Sequence, residues 1–184
     1  MKIMMRKIAL PLTLLGAAML APPLQAADGN INVTGRVVEN ACVVDAGSKN
    51  QVLNLGTTTS HGGHKEFNIV LQDCPASISQ VRVRFEGTAA NPNGWDWEKA
   101  VFAANNSSEP GAAKGVGFII YYYPETTHTS THLAPNELSE LFTLKAGTVN
   151  RLEFTTYAQT TDAYASALEL GKAIADIQFS IVYP

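Results

Sequence analysis

The chemically distinctive side chains of this 184-residue sequence are few. They are two cysteines, Cys42 and Cys74; four histidines, His61, His64, His128 and His132; and the carboxylates Asp96 and Glu98 on either side of Trp97. Two thiols form a disulfide or supply part of a metal site. A structural zinc takes four ligands, and His61 and His64 are flanked by glycines in a segment that reads as a mobile loop. His128 and His132 have helical i, i+4 spacing, but the threonine-rich run between them disfavours a helix. No G-x-S-x-G nucleophile elbow occurs, and Gly111, Gly115 and Gly117 are not followed by the Lys-Ser/Thr of a phosphate loop. Asp96 and Glu98 read as solvated loop carboxylates. Trp95 and Trp97 read as one ring on the core and one shielding a loop, with stacking on a sugar as the alternative. The sequence therefore offers no catalytic constellation, no metal site and no cofactor site.

The compartment decides what the cysteines do. Lys2, Arg6 and Lys7 precede the apolar run Ile8 to Leu20, and Leu24-Gln25-Ala26 fits a cleavage site. Residues 1–26 read as a secretory signal peptide, since the apolar run is too short to span a bilayer. No later stretch is long and apolar enough to do so. An even cysteine count in an exported chain favours a Cys42–Cys74 disulfide, worth roughly 3–4 kcal/mol in the chain-entropy model. Of 13 basic residues three lie in the leader, whereas all 16 acidic ones lie beyond it, so the mature net charge is 10 − 16 = −6. A mildly acidic exported domain has no electrostatic case for nucleic acid or anionic membrane.

The elements that must position these groups read as strands. Ile31 to Val37, Val52 to Leu55, Phe67 to Leu71, Val81 to Phe85, Val116 to Tyr123, Leu141 to Leu144 and Leu152 to Phe154 are short apolar or alternating runs. Gly, Pro, Asn and Ser separate them. Asn91 to Gly115 reads as a surface excursion, and Ala163 to Leu170 as one or two helical turns at most. The last fourteen residues, Gly171 to Pro184, alternate: Ala175, Ile177, Phe179, Ile181 and Tyr183 on one face, Asp176, Gln178, Ser180 and Val182 on the other. A chain ending in so apolar a strand must pair it, because an open apolar edge invites association. Many short strands with polar turns make an all-β sandwich.

Several of these residues carry a resemblance. Gly35 to Asp45 (GRVVENACVVD), the L-x-x-C stretch ending at Cys74, Gly171 fourteenth from the end and the penultimate Tyr183 together resemble the subunits of chaperone–usher fimbriae, the type 1 fimbrial pilin family. The resemblance implies an incomplete immunoglobulin-like β-sandwich completed by a donor strand from another subunit. It divides the chain into a signal peptide (1–26), an N-terminal extension (27–40) and a pilin domain (41–184). Ile31, Val33, Gly35 and Val37 would form the donor strand. Gly171, Ile177, Phe179, Ile181 and Tyr183 would mark the groove filled first by a periplasmic chaperone and then by the next subunit. An outer-membrane usher and other pilin subunits are the further implied partners, and the cell-surface fimbrium is the implied destination. A minor subunit with its own glycan-binding role is the alternative. Pro184, with no N–H to give, departs from the polar residue common at that position in the family.

Overall fold

Alternation of apolar side chains organises this molecule, and its computed structural model describes residues 41–184. The leader, the 27–40 extension and with them Ile31, Val33, Gly35 and Val37 lie outside the described residues. Two antiparallel sheets face each other. The larger contains β1 (Val43–Val44), β2 (Gly62–Gln72), β8 (Asn150–Thr160), β5 (Val116–Tyr122) and β4 (Phe102–Ala103), in that order. β6 (Thr131–Leu133) shares the outer edge of β5 with β4. The smaller sheet is β7 (Phe142–Thr143), β3 (Gln80–Glu86) and β9 (Gln178–Val182).

Period-two patterning fixes the registers. Phe67, Ile69 and Leu71 of β2 face inward and sit opposite Phe154, Leu152 and Asn150 of β8. Val81, Val83 and Phe85 of β3 close the core from the other side. Slipping either strand by one residue would turn its whole apolar row to water. Phe67, Phe85 and Phe154 meet with ring centroids 5.1–6.0 Å apart, and Tyr122 and Phe142 extend the same cluster. The Tyr122 hydroxyl accepts a 2.9 Å bond from the Glu140 N–H, and burial pushes its phenol pKa up. Cys42 and Cys74 are joined by a disulfide that ties the start of β1 to the segment after β2.

Four expectations are corrected. The predicted strand Val52 to Leu55 forms no strand and has no strand partner among the described residues. The C-terminal strand is Gln178–Val182, so Gly171 to Ile177 is excluded from it. Ala163 to Leu170 forms turns, held in part by the Asp162 carboxylate, which accepts from the N–H groups of Tyr164 and Ser166. Asn91 to Gly115 is no mere excursion: Val101 and Phe102 are fully buried, with β4 paired to β5. Its strand is two residues long, too short for periodicity to register.

Candidate functional site

The site is a groove that the larger sheet leaves uncovered. The smaller sheet covers only part of the larger one's inner face. Where it stops, Phe67, Ile69, Phe118, Ile120, Thr156 and Ala158 form the floor of an open groove of about 1330 Å³. Phe118 sits on a central strand yet is only half-buried, because none of the described residues covers it. Residues 48–60 form one wall and residues 168–179 the other. Apolar side chains stand exposed on the rim: Val52 is 95 % exposed and Leu170 91 %.

The wall nearer the C-terminus is built asymmetrically. Along 172–176, even-numbered backbone groups are taken. The Lys172 N–H donates to the Gly111 carbonyl and its carbonyl accepts from Ala113, while the Ile174 carbonyl accepts from Asn105. The N–H groups of Ile174 and Asp176 donate to the side-chain oxygens of Asn106 and Asn105. Ala173, Ala175 and Ile177 make no backbone hydrogen bond among the described residues. The same parity continues through β9. Val83 and Phe85 of β3 bond outward to Ser139 and Asn136. Arg82, Arg84 and Glu86 are therefore the β3 residues that meet Val182, Ser180 and Gln178. The backbone groups of Phe179 and Ile181 consequently point away from β3, along the open edge. Their side chains, with Ile177 and Tyr183, are half-buried against the main core.

Each residue that the sequence singled out on this wall has a place. Gly171 lines the groove, and a Cβ there would lie 2.5 Å from backbone atoms of Gly111 and Ala112. Only glycine allows the 171–172 segment to close on that loop. Ile177 and Phe179 line the groove, whereas Ile181 and Tyr183 pack beyond its end. Burial raises the Tyr183 phenol pKa, and a hydrogen bond to the Cys42 backbone pulls it the other way. On the opposite face of β9, the Glu86 carboxylate accepts from the Ser180 hydroxyl at 2.7 Å and from Arg84 at 2.8 Å. These bonds, the serine first, hold its pKa below the ordinary value of 4.5.

The other candidate groups are placed elsewhere. His61 and His64 pack on Tyr157, the latter stacked with centroids 4.6 Å apart, on the outer face of the larger sheet. His132 joins the rim of this aromatic group, and His128 sits in a turn. Among the described residues no three His, Cys, Asp or Glu are placed to hold a metal ion. Glu98, expected to be solvated, is instead buried. Its carboxylate accepts from the N–H groups of Trp95 and Ala163 and from the Asn91 amide, pinning two loops together. Trp97 packs against Val101, Ile119 and Tyr157, while Trp95 is 72 % exposed. Sequence reasoning missed Phe118, Thr156 and Ala158 of the floor and the Asn105–Asn106 pair. Phe118 was legible as strand but not as strand left uncovered, and Thr156 and Ala158 lie past the predicted run Leu152 to Phe154.

Comparison with known proteins addresses the whole of this architecture. The model of the fimbrial protein family matches residues 31–184. A type 1 fimbrial subunit of Salmonella typhimurium is 34 % identical, with 99 % of this chain and 98 % of that protein aligned. A type 1 fimbrial subunit of Klebsiella pneumoniae is 32 % identical over 94 % of this chain and 92 % of its own length. Among solved structures, the P pilus rod subunit PapA aligns with a TM-score of 0.60 at 16 % identity, over 79 % of this chain and all of that one. A subunit of a solved chaperone–usher pilus gives the same TM-score at 18 % identity, over 89 % of this chain and all of its own. The two structures bear on the fold: an immunoglobulin-like sandwich of antiparallel sheets.

Proposed function

This chain belongs to the fimbrial protein family and is a structural subunit rather than an enzyme; from that premise we propose that it polymerises by accepting a β-segment from another subunit into its open groove. One observation carries the reading. The groove combines an apolar floor with a wall whose alternate backbone groups, from Ala173 through Ile181, have no partner among the described residues. Each backbone hydrogen bond gained there contributes roughly 0.5–1.5 kcal/mol net of the water it replaces. An incoming strand satisfies these groups while its side chains cover Phe118 and Ile120, each large side chain buried contributing roughly 1.5–3 kcal/mol. This is strand addition used for assembly.

The donor in this reading is the 27–40 extension of a neighbouring copy, with Ile31, Val33 and Val37 entering the groove and Gly35 passing where space is tight. A head-to-tail contact of this kind does not close on itself, so its product is a filament. Before assembly a periplasmic chaperone occupies the same groove, and an outer-membrane usher passes the subunit to the growing surface fimbrium. The test removes Ala27 to Val38 and examines fibres by electron microscopy. Chaperone binding survives and growth past the truncated subunit stops. Normal fibres built from the truncated chain overturn the donor assignment.

A further inference from the structure

Among the described residues, no strand lies beside the wall along 172–176 on the covered side. Residues 105–113 turn back on themselves and cannot supply a continuous strand there. Three stations do so instead. Ala112 bridges Lys172 in parallel fashion through the Gly111 carbonyl and the Ala113 N–H. The side-chain amide of Asn106 then donates to the Lys172 carbonyl at 2.9 Å and accepts from the Ile174 N–H at 2.8 Å. Asn105 repeats the pattern two residues on. Its backbone N–H donates to the Ile174 carbonyl at 2.7 Å, and its side-chain oxygen accepts from the Asp176 N–H at 3.3 Å. One residue of a parallel strand bonds the carbonyl of residue i − 1 and the N–H of residue i + 1. Each asparagine makes that pair of bonds. Asn106 is 6 % exposed, with both ends of its amide used.

We infer that Asn106, seconded by Asn105, is a positioning residue of the acceptor wall: its amide replaces a strand on the covered side, so that only Ala173, Ala175 and Ile177 present backbone groups to the groove. The inference rests on reading the groove as a strand acceptor. Without the amides, the even-numbered groups would compete for the same incoming strand, and a wall with two available registers specifies neither.

The test measures binding of a fluorescent peptide copying residues 27–40 to the full mature chain. Asn106→Asp keeps the shape but sets a carboxylate against the Lys172 carbonyl, and its expected affinity is about tenfold lower than wild type. Asn105→Ala, at an exposed side chain, is expected to bind about threefold more weakly and to lose hydrogen-exchange protection at the Asp176 amide. Ser139→Ala, which weakens the sandwich at the far edge of β3, leaves peptide affinity unchanged. Wild-type affinity in both asparagine variants overturns the inference, as does an equal loss in Ser139→Ala. If Asn106→Asp does not fold, Asn105→Ala decides: unchanged affinity with unchanged protection is the overturning result. A wild-type chain that fails to bind the peptide instead overturns the acceptor reading itself.

Discussion

The two edges of the three-stranded sheet are finished in opposite ways. Past the short strand β7, the β3 edge is closed by loop residues. Ser139 accepts from the Val83 N–H through its hydroxyl and donates its own N–H to the Val83 carbonyl, and Asn136 serves Phe85 and Gly87 likewise. The β9 edge has no such cover among the described residues. A fold able to seal one edge with two polar side chains does not lack the means to seal the other. The difference fits the proposed assembly, in which the closed edge stabilises the subunit and the open one receives the incoming strand.

Four experiments break or sharpen this contrast. The largest effect is expected from Cys42→Ser with Cys74→Ser, which removes the tie between β1 and the segment after β2, independent of either edge, and lowers unfolding free energy by about 3–4 kcal/mol in urea titrations. Phe179→Ala separates the edges. It should cost on the order of 1–2 kcal/mol in the open subunit, where the ring is half-buried, and about 3 kcal/mol once a strand covers it. An equal cost in both states would remove the distinction. Ser139→Ala leaves the buried Val83 N–H unpaired, for about 1–3 kcal/mol by thermal denaturation whether the groove is open or filled. The smallest effect concerns pH. The Glu86 pKa is lowered chiefly by the Ser180 bond, so its contribution is present above the ordinary value of 4.5 and fades as pH falls through the lower folded value. Hydrogen-exchange protection in β9, measured against the intrinsic rate at each pH, should therefore fall on acidification below that point, and Glu86→Gln should blunt the response.

How much of this could be read beforehand depended on whether a residue's role was local. β3 and the inward rows of β2 and β8 follow from alternation alone. Val52 to Leu55 has the alternation but not the strand, because a strand needs a neighbour and none is present among the described residues. Gly171 was legible as a marked position, but its reason, the 2.5 Å approach to the 111–112 backbone, is visible only in three dimensions. Asn105 and Asn106 gave no signal. Asparagine is at home in any loop, and these two matter only because residues 172–176 pass beside them. Glu98 was misjudged for the same reason, its partners being Asn91 and the distant Ala163.

The disulfide sets how such a subunit bears load. β1 is two residues long, and tension applied from the chain ahead of it would peel so short a strand from β2 pair by pair. Cys42 precedes β1 and is bonded to Cys74 beyond the far end of β2. A pull arriving at residue 42 therefore passes through a covalent link to the end of β2, a strand paired with β8 over most of its length. Tension carried this way bypasses β1 and its two register pairs with β2.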